Sequence, residues 1–135
     1  MLQEFPEKVA KVLHDLHANY DAINGSDYNA AINAYSPIYI TNWNQESSYF
    51  TWEEIVNHST TYPTDRRDLL EAKVLDLNDH TAVVYVRVLY SELPQTFGGL
   101  YEPNDPREPY EYEEVLYLDY TENERWTFNV VDYLD

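Results

Sequence analysis

The stretch TAVVYVRVLYSE, residues Thr81 to Glu92, decides the fold, together with LLEAKVLDL from Leu69 to Leu77 and the Asn78-Asp79-His80 link between them. β-branched and aromatic residues fill the second segment almost throughout, which suits a pleated, half-buried surface. Alternate residues of a strand share a face. Ala82, Val84, Val86, Val88 and Tyr90 therefore form an inner side, and Val83, Tyr85, Arg87 and Leu89 an outer one. The link is of turn type, so the two segments read as a β-hairpin. Tyr110 to Tyr120 and Trp126 to Leu134 repeat the pattern as a second hairpin, closed through Thr121-Glu122-Asn123-Glu124-Arg125.

Before Leu69 the hydrophobic period changes from two to between three and four, the mark of helices. Phe5, Val9, Val12, Leu13, Leu16, Tyr20 and Ile23 form one stripe of a helix over about 5–23, begun by Pro6 and ended by Asn24-Gly25. Ser26 or Asp27 caps a second helix, about 27–35, stopped by Pro37. Ile38-Tyr39-Ile40-Thr41-Asn42-Trp43 is short and rich in strand formers, and is expected to be a lone strand, about 38–43, before a polar loop through Ser48. Thr51-Trp52-Glu53-Glu54 fits a capping box that opens a third helix, about 52–58.

The segment from Leu93 to Pro109 holds four prolines and Gly98-Gly99, far more than a hairpin turn needs. It reads either as a lid or recognition surface or as a tolerated insertion at a sheet edge.

The 135 residues suffice for one domain, 1–135, with a single core. The formal net charge of −17 repels phosphate backbones and anionic lipid, so neither nucleic acid nor a membrane surface is expected as a partner. Between Glu102 and Glu124 nine acids face Arg107 alone. That strip serves solvation or meets a basic protein. Cysteine is absent, which excludes disulfides and thiolate chemistry. The N-terminus lacks a basic region and a signal-length apolar run, and no segment approaches a membrane span, so a cytoplasmic location is expected.

Three residues are candidates for chemistry. Strict alternation puts Asp132 in phase with Trp126, Phe128 and Val130, and Glu114 in phase with Tyr112, Leu116, Leu118 and Tyr120. A carboxyl group on an apolar inner face pays desolvation, which favours its neutral form and poises it as an acid or base. His17 sits at the edge of the first helix's apolar stripe, and imidazole suits proton transfer near neutrality. No histidine pair has ligand spacing within one buried face, so no metal and no cofactor is expected. On the outer sheet face, Tyr85, Arg87, Leu89 and Tyr117, with Val83 and Val115, leave a surface too apolar for water. A homodimer through this face is expected, with Arg87 pairing an acid across the interface.

Ala30-Ala31-Ile32-Asn33-Ala34-Tyr35-Ser36-Pro37, Thr51-Trp52-Glu53-Glu54-Ile55 and the ending from Trp126 to Asp135 resemble the nuclear transport factor 2-like superfamily, in its SnoaL-like, polyketide-cyclase-like branch. The resemblance spans nearly the whole chain. It implies an α+β fold of the cystatin-like, cone-shaped type, in the order α-α-β-α-β-β-β-β, with a curved antiparallel sheet wrapped around the N-terminal helix. It also implies a pocket lined by Tyr20, Tyr35 and Trp52 for a small apolar or aromatic ligand. Two functions follow. One is a small-molecule pocket protein acting as a cofactor-independent lyase or isomerase. The other is a non-enzymatic binding module, immunity-like or adaptor-like, that uses its acidic surface.

Overall fold

The computed structural model describes residues 5–46, 49–93 and 108–133; for Phe5 and for 130–133 it describes the backbone only. Among the described residues four helices precede four strands: α1 (Phe5–Asn24), α2 (Tyr28–Ile32), α3 (Pro37–Glu46), α4 (Trp52–Thr61), β1 (Asp65–Leu77), β2 (Thr81–Glu92), β3 (Tyr110–Tyr120) and β4 (Trp126–Tyr133). The strands form one antiparallel sheet in the order β1-β2-β3-β4. The long connection read between 93 and 109 lies, from 94 to 107, outside the described residues.

This architecture corrects the expected one in two respects. Helices and strands are not interleaved, because the predicted strand 38–43 is the helix α3. The sheet is an open meander with β1 and β4 at its edges, and not a curved sheet closed into a cone around α1.

Capping explains the first correction. Pro37 starts α3 and does not merely stop α2: proline suits the first helical position, where its missing N–H costs nothing. Ser36 accepts the Ile38 N–H on its Oγ at 3.3 Å, and its carbonyl accepts the Ile40 N–H at 3.1 Å. α2 has already ended at Asn33, after a start at which the Asp27 carboxylate accepts from the amides of Asn29 and Ala30. Ala34, Tyr35 and Ser36, between the helices, lie beside β4. Phe128 N–H donates to Ala34 O and Ser36 N–H to Phe128 O, both at 2.8 Å.

α1 buries Val12, Leu16 and Tyr20 against Ala82, Val84, Val86 and Val88 of β2, Leu116 and Leu118 of β3, and Trp126 and Phe128 of β4. Each buried valine, leucine or phenylalanine here contributes roughly 1.5–3 kcal/mol relative to exposure. Two polar residues of α1 are buried as well. Asp15 accepts the Trp126 backbone N–H at 3.1 Å and the Lys11 ammonium at 3.2 Å. Asn19 donates to Trp126 O at 2.9 Å and accepts from Arg125 Nη2 at 2.6 Å. Together they seat the first residue of β4.

Three bulges interrupt the ladders. Leu70 and Leu75 are the extra residues of β1, which explains why two leucines are exposed. In β4 the register passes from Leu118↔Phe128 to Tyr117↔Val130, leaving Asn129 unpaired. Every residue after the bulge changes phase. Asp132 is opposite Val115, and Tyr133 is opposite Glu114.

Candidate functional site

A cavity of about 330 Å³ lies between α1, α4 and the inner face of the sheet. Its apolar wall is aromatic. Tyr39 and Trp43 stand four residues apart on α3, the helical spacing that brings side chains to one face, and Tyr35 precedes the helix in a bridge to Phe128. All three rings pack on Trp52, with centroids at 4.9, 5.1 and 5.1 Å respectively. Trp52 opens α4 behind a complete capping box: Thr51 Oγ1 accepts the Glu54 amide, and the Glu54 carboxylate accepts the Thr51 amide. Asn44 ties the two helices together, accepting the Trp52 N–H at 2.8 Å and donating to Glu53 at 2.9 Å. The Trp52 indole N–H is buried among these rings and has no hydrogen-bond acceptor among the described residues. Burial pushes the Tyr35 phenol up to about 12, with Tyr39 adding to it, so Tyr35 stays neutral.

Glu114, Tyr20, Arg67, Tyr112, Asp65 and Asn129 form the polar part of the lining together with Ser59 and Thr64. Glu114 is 4% exposed, and Tyr20 Oη donates to its Oε1 at 3.3 Å. Burial raises the Glu114 carboxyl above its ordinary value, against the Tyr20 hydrogen bond and the Arg67 charge, which both favour the anion. The Tyr20 phenol is itself raised by burial and by the neighbouring Glu114, so it remains a donor. Burial works against the Arg67 cation, but Asp65 and Tyr112 outweigh it and hold Arg67 charged. Arg67 Nη1 is 3.3 Å from Asp65, its guanidinium carbon lies 5.2 Å from the centre of the Tyr90 ring, and Tyr90 Oη donates to Asp65 at 3.1 Å.

The sequence candidates fare differently. Glu114, Tyr20, Tyr35 and Trp52 all line this one cavity. His17 is exposed on α1 and outside the lining, so its assignment to a pocket does not hold. Asp132 is displaced from its assumed phase by the Asn129 bulge, and its side chain is outside the described residues. Arg87 does not wait for a partner's acid: it pairs with Glu111 at 3.0 Å and Glu71 at 3.9 Å in its own chain. Tyr85 donates to Glu113 at 2.7 Å, Leu89 is half-buried and Tyr117 exposed. Strand alternation also divides the acidic strip. Glu114 is inside, Glu111 and Glu113 are exposed on the other face, and Asp119 accepts from Ser36 Oγ at 3.0 Å. Glu102 and Asp105 lie outside the described residues.

Asp65, Arg67, Tyr39 and Asn129 are site residues that the sequence reading missed. Phase could have found the first two, since Asp65 and Arg67 alternate with Leu69 and extend its face of β1. The spacing of Tyr39 and Trp43 is a helical signal masked by local strand propensity. Asn129 had no local signal. Among the described residues no group of three His, Asp or Glu side chains could hold a metal ion, and no helix is long and apolar enough to cross a membrane.

No family model matches the sequence, and no curated protein does. Solved structures do match. A candidate aromatic ring hydroxylase from Novosphingobium aromaticivorans is similar at 10% identity, with a TM-score of 0.60 over 96% of this chain and 90% of that one. A ketosteroid isomerase-like protein from Erwinia carotovora atroseptica is 16% identical, with a TM-score of 0.55 over 93% of each chain. A candidate polyketide cyclase from Xanthomonas campestris is 14% identical, with a TM-score of 0.52 over 95% of this chain and 93% of that one. The fold is that of the nuclear transport factor 2-like proteins, among them structures named as polyketide cyclases. At these identities the likeness is one of fold.

Proposed function

We propose that the protein binds a flat, largely apolar small molecule in this cavity and acts on it as a cofactor-independent isomerase or lyase, with Glu114 as the proton carrier. One observation carries the reading: a carboxyl group buried to 4% exposure and raised by desolvation lines a cavity walled by rings. A buried group of this kind is costly, and such costs concentrate at sites of proton transfer. Tyr20 orients the carboxylate, and Tyr35 and Trp52 hold the ligand plane. In the step, Glu114 takes a proton from the carbon next to a carbonyl. The C–H electron pair becomes the new C=C bond and the carbonyl π pair moves to oxygen. Glu114 then returns the proton at another carbon, or a leaving group departs. The names of the isomerase-like and cyclase structures agree with this reading. His17 has no part in it.

The test uses 2-tetralone in D₂O, with α-proton loss followed by NMR. The protein accelerates exchange, and Glu114→Gln removes about 10²-fold or more of that acceleration, the usual weight of a general base. Equal rates for both proteins would overturn the assignment of Glu114.

We infer further that the outer sheet face packs on a second copy. α1 packs against the other face, at β1 and β4, leaving Val83, Tyr85, Leu89, Val115 and Tyr117 partly exposed. Sedimentation should give twice the 16.0 kDa chain mass, and Leu89→Glu with Tyr117→Glu should halve it. A monomeric parent protein would sink this inference.

A further inference from the structure

Arg67 is held more firmly than a solvating arginine requires. Its backbone is clamped at both ends by Asn24 of α1, whose Nδ2 donates to Arg67 O and whose Oδ1 accepts Arg67 N–H at 2.8 Å. Its guanidinium is fixed by Asp65, by a hydrogen bond to Tyr112 and by the Tyr90 ring. Its side chain nevertheless remains 38% accessible and lines the cavity that Glu114 lines. A guanidinium has five N–H donors in a rigid fork, and among the described residues its hydrogen-bond partners are Asp65 and Tyr112.

The local charges narrow the ligand. Asp65 already balances Arg67, and Glu114 adds a second acid to the lining. A ligand with a standing carboxylate would meet two acids against one cation. A neutral ligand that gains negative charge only on its oxygen meets a pre-placed donor, and preorganised donors aimed at developing charge are among the strongest catalytic devices.

Resting on the proposed function above, we propose that Arg67 is the oxygen-binding residue of the site and that the substrates are neutral carbonyl compounds with a flat body. The carbonyl oxygen docks on Arg67, the ring system lies against Tyr35 and Trp52, and the acidic carbon faces Glu114.

The experiment titrates the protein with 2-naphthol, a neutral enol-like probe, and with 2-naphthoate, its carboxylate counterpart. The naphtholate absorption band reports ionisation of the bound phenol. The wild type should bind 2-naphthol at least about tenfold more tightly than 2-naphthoate, and both it and Glu114→Gln should ionise 2-naphthol at a lower pH than free solution does. Arg67→Met should weaken 2-naphthol about tenfold and abolish the shift of the band, while Arg67→Lys keeps part of both. Circular dichroism checks that each variant is folded. If folded Arg67→Met matches the wild type in affinity and spectrum, or if 2-naphthoate binds better than 2-naphthol, the inference is overturned while the pocket stands. If neither the wild type nor Glu114→Gln binds 2-naphthol, the pocket reading falls with it.

Discussion

Asp15 and Glu114 are each 4% exposed, yet the structure provides for them in opposite ways. Asp15 accepts from the Trp126 backbone amide and the Lys11 ammonium, and its Oδ1 lies 3.3 Å from His14 Nδ1. It lines no part of the cavity. Glu114 has the Tyr20 phenol, the distant Arg67 charge and a hollow in front of it. Equal burial therefore says little about role. A buried acid met by backbone and cationic donors joins two elements, whereas one that meets a single hydrogen-bond donor among the described residues and stands beside a cavity is available for chemistry.

Substitution should separate the two acids by sign. Asp15→Ala leaves the Trp126 amide buried without its acceptor and removes the Lys11 contact, so it should cost about 3 kcal/mol in urea unfolding. A loss below about 1 kcal/mol would mean that Asp15 is not the tie between α1 and β4. Asn19→Ala should cost about 2 kcal/mol by the same assay, since it deprives Trp126 O and Arg125 together.

Glu114→Gln should change stability least and in the other direction. A carboxyl group whose folded value is raised stabilises the fold fully below its unfolded value. That contribution is lost as pH climbs through the folded value. Thermal melts should therefore coincide for Glu114→Gln and wild type below about pH 4.5, with the variant melting progressively higher as pH rises above it. The opposite order at pH 8 would show that the ionised carboxylate is well satisfied and would erase the contrast with Asp15.

What could be read without coordinates came from local periods. Alternation through β2 and β3 put Glu114 among Leu116 and Leu118, and those residues are buried together. Thr51 and Glu54 announced the capping box because its partners are three residues apart. Asp132 shows where this reasoning stops. A single unpaired residue, Asn129, inverts the phase of all that follows it, and strand propensity carries no mark of a bulge. α3 shows the same from the helical side, where the strand formers of 38–43 yield to Ser36 and Pro37 at the cap and to the packing of Tyr39 and Trp43 on Trp52.

The chain by itself determined which residues share a face wherever the repeat was unbroken, since two- and four-residue spacings are set by backbone geometry alone. Only the tertiary structure decided that Asn24 would clamp Arg67 across 43 positions, or that Glu114 would meet Tyr20 across 94. Contacts between residues so far apart depend on how α1 lies across the sheet, and the cavity is the space which that packing leaves unfilled.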